Sequence, residues 1–162
     1  MIGNEKFKVF AKFFELLKQR QLLHNHSKAL SIGARVGQGV EALRRVGVSD
    51  SVGIDLVSCP PLVIKGDFNN QPFNNDTFDF EFSNVFDHAH CTRTSSWLRS
   101  NGRWSLMGCV LHVALSGLQD KYSANDLFSV KPLVEMFKGS KLVHIRKVDG
   151  FGLDTEVVFW EK

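Results

Sequence analysis

The sequence predicts an α/β fold: one seven-stranded, mostly parallel sheet with helices on both faces and an antiparallel last strand. Three observations predict it. Short β-branched or aromatic runs alternate with segments of helical period, a glycine-rich turn from Gly33 to Gly39 joins the first strand to the helix after it, and the early strands each end on glycine, acid or small polar residues.

The chain has 162 residues, a size for one domain, and 43% hydrophobic residues, 14 of them Phe. That much apolar side chain offsets the entropy of ordering the backbone, which excludes intrinsic disorder. Its formal net charge of +3 is spread over 20 basic and 17 acidic residues, which leaves no basic stripe for a nucleic-acid backbone. No run of 18 apolar residues occurs, and the start, with Asn4, Glu5 and Lys6, lacks the form of a secretory signal. Three separated cysteines, Cys59, Cys91 and Cys109, suit a reducing compartment, so a cytoplasmic location is expected.

Along the chain, Phe7, Phe10, Phe14 and Leu17 recur at helical spacing between Glu5 and Leu23. They predict an amphipathic helix whose Phe stripe packs on a sheet; lying on an anionic membrane is the rarer use of such a helix. This leader, residues 1–26, is read as a unit beside a main domain of residues 27–162. Lys28 to Ile32 reads as the first strand, and Val40 to Val46 as a helix that stops at Gly47. Val52 to Leu56, Leu62 to Asp67 and Phe78 to Asn84 follow as strands. Within the last of these, Phe78, Phe80 and Phe82 have a period of two and are expected on one buried face, with Asp79 and Glu81 opposite or at the edge. Cys109 to Leu115, Lys141 to Lys147 and Glu156 to Trp160 complete the strands, with a helix from Ala124 to Phe137.

In an open α/β sheet, ligands gather outside the carboxyl ends of the strands, where the distinctive residues of this chain fall. Gly33, Ala34, Arg35, Val36 and Gly37 follow a strand and open a helix, a setting that lets a ligand approach backbone amides. Asp55 ends the next strand, 22 residues after Gly33, where a carboxylate can accept both hydrogen bonds of a ribose diol. Asp67 and Phe68 end the third, a pair suited to an adenine edge and face. Ser83, Asn84 and Val85 close the fourth.

On these residues the sequence resembles the class I S-adenosylmethionine-dependent methyltransferases, specifically the plant group with a methyltransferase type 11 domain. The resemblance runs from about Ser27 to Lys162. Ala29 to Gln38 looks like the first motif of that family, Val52 to Leu56 its second strand, Gly66 to Phe73 its Gly-Asp…Pro-Phe element, and Phe78 to His88 its fourth-strand motif. The resemblance implies a Rossmann-like methyltransferase fold, S-adenosylmethionine as cofactor, and methyl transfer to an acceptor that the sequence does not identify. It also implies that Gly33, Ala34, Arg35 and Gly37 surround the methionine and ribose, and that Asp55, with Leu56 beside it, takes the ribose hydroxyls. Asp67 and Phe68 would take the adenine, and Ser83, Asn84 and Val85 the methionine side. His88 is the candidate general base, an imidazole beside the donor pocket able to take a proton at neutral pH.

The chain departs from the family pattern at three places. Ser31 stands where an acid is usual, Arg35 where a second glycine is usual, and the stretch 90–108 lacks the amphipathic helix of relatives. Arg35 and the stretch 90–108 favour an alternative: a methyltransferase-like binding or interaction protein that has lost catalysis. A dinucleotide fingerprint from Gly37 to Ala42 is out of register, because Gly37 lies five residues beyond Ile32. His24-Asn25-His26 and His88-Ala89-His90 lack a third ligand at metal spacing, so no metal site is expected.

Overall fold

A computed structural model describes residues 4–74, 77–86, 108–115, 128–137 and 140–161. The elements, in chain order, are α1 (Asn4–Gln19), β1 (Ala29–Ile32), α2 (Gln38–Arg45), β2 (Ser51–Asp55), β3 (Val63–Lys65), β4 (Phe80–Ser83), β5 (Gly108–Val113), α3 (Lys131–Met136), β6 (Ser140–Gly150) and β7 (Leu153–Glu161).

The seven strands form one sheet in the order β3-β2-β1-β4-β5-β7-β6. β1 lies between β2 and β4, parallel to both. The strand order therefore reverses at β1, which creates a crevice above its carboxyl end where ligands bind in such sheets. β7 runs antiparallel to β5 and to β6, as the sequence led us to expect. The β6–β7 hairpin turns through Phe151 and Gly152, both at positive φ (60° and 77°), a twist that matches paired strands. Because β7 is antiparallel, this turn lies at the same end of the sheet as the carboxyl end of β5.

Apolar residues leave the sheet on both faces. On one, Phe10, Phe13, Phe14 and Leu17 of α1 join Leu43 of α2, Phe80 and Phe82 of β4, Val110 of β5 and Val158 of β7. The Phe stripe of the leading helix is thus part of the main core. On the other face, Leu30, Ile32, Ile54, Leu111, Val113, Val157 and Phe159 pack with Leu133 and Phe137 around α3. The period-two reading of β4 needs one correction. Phe80 and Phe82 share the α1 face, but Phe78 precedes the strand and packs on the opposite side. Alternation holds only where the backbone is pleated, and Phe78 lies outside that segment.

Two buried carboxylates accompany these faces. Glu81, between Phe80 and Phe82, is 7% exposed and leaves Oε2 without a hydrogen-bond partner among the described residues. Burial pushes its pKa up to about 7. Its neighbour in register on β5 is Cys109, whose thiol is pushed well up by burial and then by the Glu81 charge. Glu156 on β7 is fully buried on the α1 side. His112 Nε2 donates to its Oε2 at 2.8 Å, and Arg146 donates to both oxygens, at 2.6 and 3.1 Å. Burial alone pushes the Glu156 carboxyl up, yet the hydrogen bonds from His112 and Arg146 outweigh it and hold the pKa at about 2. Asp154 lies on β7 and accepts the Leu115 N–H at 2.9 Å.

Candidate functional site

The site begins where β1 stops. Ile32 is the last strand residue, and Gly33 turns away at φ +67°. A Cβ on Gly33 would lie 2.1 Å from Val85 Cγ2, so only glycine lets the two loops close on each other. The N–H groups of Gly33 and Ala34 both donate to the Ile54 carbonyl, at 3.0 and 3.2 Å. This pins the turn to the end of β2. There Asp55 accepts the Arg35 N–H on Oδ2 at 2.8 Å and the Val57 N–H on Oδ1 at 3.3 Å. A carboxylate offers about four acceptor positions, so two main-chain donors orient Asp55 and leave it capacity for a ligand.

Asp55 faces a cleft of about 170 Å³ lined by Gly33, Arg35, Ile54, Leu56, Gly66, Phe68 and Val85. Leu56 and Val57 are 65% and 74% exposed. Aliphatic and aromatic walls with one carboxylate suit a ligand that joins a flat ring to a diol. A second cleft of about 310 Å³ adjoins it, lined by Ser31, Ala34, Gln38, Gly39 and Asn84 together with Lys6, Phe10 and Phe151. Gly33 and Arg35 line both clefts. Arg35 itself adopts φ +50°, the left-handed conformation that favours glycine. Its turn keeps the backbone shape of a glycine-rich loop with a guanidinium attached.

The structure therefore gathers most of the residues that the sequence singles out. Gly33, Arg35, Asp55, Leu56, Phe68 and Val85 meet at the first cleft, and Ala34 and Asn84 join Gly33 and Arg35 at the second. Three others lie beside the clefts. Gly37 is buried at φ +85° against Leu62 and serves the turn. Ser83 is buried and accepts the Val85 N–H on Oγ at 3.3 Å. Asp67 is exposed and accepts the Asn69 N–H on Oδ1 at 2.8 Å. His88 lies outside the described residues, as do Cys91 and most of the atypical stretch 90–108.

Lys6, Phe10 and Phe151 are the lining residues that local reading misses, because nothing in their own segments marks them. Phe10 reads as core, and it does pack on Phe82 in an edge-to-face contact at 5.8 Å. It also stacks on Phe151 at 4.8 Å and so carries α1 to the hairpin turn. Among the described residues, no group of three His, Cys, Asp or Glu side chains is arranged to hold a metal. Nor is any described helix long and apolar enough to cross a membrane.

No protein-family model matches the chain, and no curated protein matches it in sequence. Solved structures do match. A methyltransferase from Aquifex aeolicus, described as S-adenosylmethionine-dependent, aligns with a TM-score of 0.64 at 14% identity, covering 92% of this chain and 89% of that one. A TehB-like S-adenosylmethionine-dependent methyltransferase from Corynebacterium glutamicum aligns with a TM-score of 0.60 at 18% identity, covering 96% and 98%. A putative methyltransferase from Haloferax volcanii, solved in complex with the Trm112 methyltransferase activator, gives 0.64 at 15% identity over 98% and 94%. At these identities the likeness speaks for the fold, and the narrower likeness to a plant group rests on sequence motifs alone. The chain has the Rossmann-like fold of the class I S-adenosylmethionine-dependent methyltransferases.

Proposed function

We propose that the protein binds S-adenosylmethionine and transfers its methyl group to an acceptor. One observation carries this reading. The Asp55 carboxylate, oriented by the Arg35 and Val57 amides, faces a cleft whose apolar walls include Leu56 and Phe68, directly beside a turn that a Gly33 Cβ would block. A nucleoside fits there, with its diol on Asp55 and its base against the apolar side chains. The likeness to methyltransferase structures supports the same ligand.

On this reading Gly33, Ala34 and Arg35 form the bridge from the nucleoside end to the amino-acid end, and Ser83 holds the turn that presents Asn84 and Val85 to it. Asp67 flanks the base through its loop. The cofactor supplies an activated methyl on a sulfonium; the protein supplies position, and holding a nucleophile in line with that methyl accounts for much of the rate. His88 is the residue proposed to accept a proton from acceptors that must lose one. A second reading is favoured by Arg35: a protein of this fold that binds the cofactor or a partner without turnover.

Calorimetric titration with S-adenosylmethionine and S-adenosylhomocysteine tests the first reading. Saturable micromolar binding is the expected result. A folded sample that binds neither would refute it and leave the non-catalytic reading.

A further inference from the structure

Resting on the donor reading above, we propose that Lys6 sets which charge of the donor's amino-acid end the protein recognises: it draws in the carboxylate, and the ammonium adds little to binding. On that reading the nucleoside fills the first cleft, and the second, which shares Gly33 and Arg35 with it, receives the amino-acid end. That end is a zwitterion, with an ammonium and a carboxylate on one carbon, so the charge along the wall decides which of the two is held.

The wall is cationic. Lys6 and Arg35 line the second cleft, and its described lining contains no Asp or Glu. Asp55 lines the first cleft and not the second, and two main-chain amides and, on the donor reading, the ribose diol engage it there. Ser31 offers a hydroxyl without charge, and the amides of Gln38 and Asn84 serve either ion equally. A carboxylate in this cleft therefore meets two cations, whereas an ammonium meets neutral acceptors and the repulsion of the same two.

Lys6 comes from the first helix, outside the strand ends that form the rest of the site, and its placement follows from packing. Phe10, one turn later on the same face of α1, is buried and stacks on Phe151 at 4.8 Å, which fixes the first turns of the helix against the hairpin turn. The Lys6 ammonium then lies 5.9 Å from the Phe151 ring centroid, drawn to the rim of the cleft by the negative face of the ring. It stays exposed there, so its pull on a carboxylate is worth a factor of about five.

The test is calorimetric titration with S-adenosylhomocysteine, its decarboxylated analogue, its deaminated analogue, and methylthioadenosine, which lacks the whole amino-acid end. Loss of the carboxylate should weaken binding about tenfold or more, and loss of the ammonium less than about threefold. Lys6→Gln should weaken S-adenosylhomocysteine and the deaminated analogue about fivefold, leave methylthioadenosine unchanged, and leave the decarboxylated analogue unchanged or tighter; Lys6→Arg should restore the native pattern. A merely structural role for Lys6 would move all four ligands alike. A greater loss on deamination than on decarboxylation, or a Lys6→Gln effect that is the same for all four ligands or absent, overturns the proposal and leaves the donor reading standing. Failure of all four to bind folded native protein overturns both.

Discussion

The main-chain N–H of Arg35 donates to Oδ2 of Asp55 at 2.8 Å, tying the turn after β1 to the end of β2. Asp55 therefore has two tasks, since the carboxylate that faces the cleft also fixes the loop that closes it. Asp55→Ala should weaken S-adenosylmethionine binding by about 1 to 3 kcal/mol through lost charge-assisted hydrogen bonds. Calorimetry checks this, and an unchanged affinity would place the ribose elsewhere.

Gly33→Ala should be the most damaging small change at the site. Its Cβ would stand 2.1 Å from Val85 Cγ2 at a backbone angle that L residues avoid. Strain and overpacking together should cost at least about 2 kcal/mol. Chemical denaturation of Gly33→Ala and of Gly33→Ala with Val85→Ala separates the two. The second substitution should recover the steric part and leave the conformational part.

Arg35→Gly should stabilise the protein. Arg35 sits at φ +50°, and glycine holds that conformation without the Cβ penalty, a gain of about 1 kcal/mol before the entropy of a freer unfolded chain is subtracted. A raised melting temperature is the expected outcome. Donor binding in the same variant shows what the guanidinium does: tighter binding means that it crowds the cleft, and weaker binding means that it helps to hold the ligand.

Glu81 makes stability fall with rising pH. Its pKa in the fold, about 7, lies above the ordinary 4.5, so the folded state binds more protons between these values. Its contribution is intact below pH 4.5 and is lost as pH rises to about 7, a change of about 3 kcal/mol in all. Denaturant melts from pH 4.5 to 8 should show this slope in the native protein and a much flatter line in Glu81→Gln.

Glu156 acts in the opposite direction. With a pKa held at about 2, it contributes stability above pH 4.5 that disappears as pH falls toward 2. Arg146→Met removes two hydrogen bonds from this buried carboxylate and should cost about 3 kcal/mol at neutral pH. The penalty should shrink in acid as Glu156 takes up a proton. A loss independent of pH would assign Arg146 a packing role instead.

Much of the first cleft was legible because its parts are local. A strand that ends in glycine, a strand that ends in Asp55 and a loop that begins at Asp67 are patterns of neighbouring residues, and the pleat and the turn place them with little help from afar. The sheet pattern shows the same limit from the other side. Phe80 and Phe82 follow the period of β4, whereas Phe78 lies before the pleated segment and takes its face from the surrounding core. Glu81 could be expected opposite the phenylalanines, but whether that face is wet or buried depends on what covers it.

What the sequence by itself determined is the α/β class, all seven strands, the amphipathic leader and the glycine turn with Asp55 after it. Each follows from hydrophobic period or from backbone preference within a few residues. Only the tertiary structure decided that Lys6, Phe10 and Phe151, from the first helix and the last hairpin, wall a second cleft against Gly33 and Arg35. It alone decided, too, that Glu156 is shared by His112 and Arg146. The physical reason is that these contacts join residues far apart in the chain, whose meeting depends on strand order and on the packing of α1 over the sheet, which no local window of sequence contains.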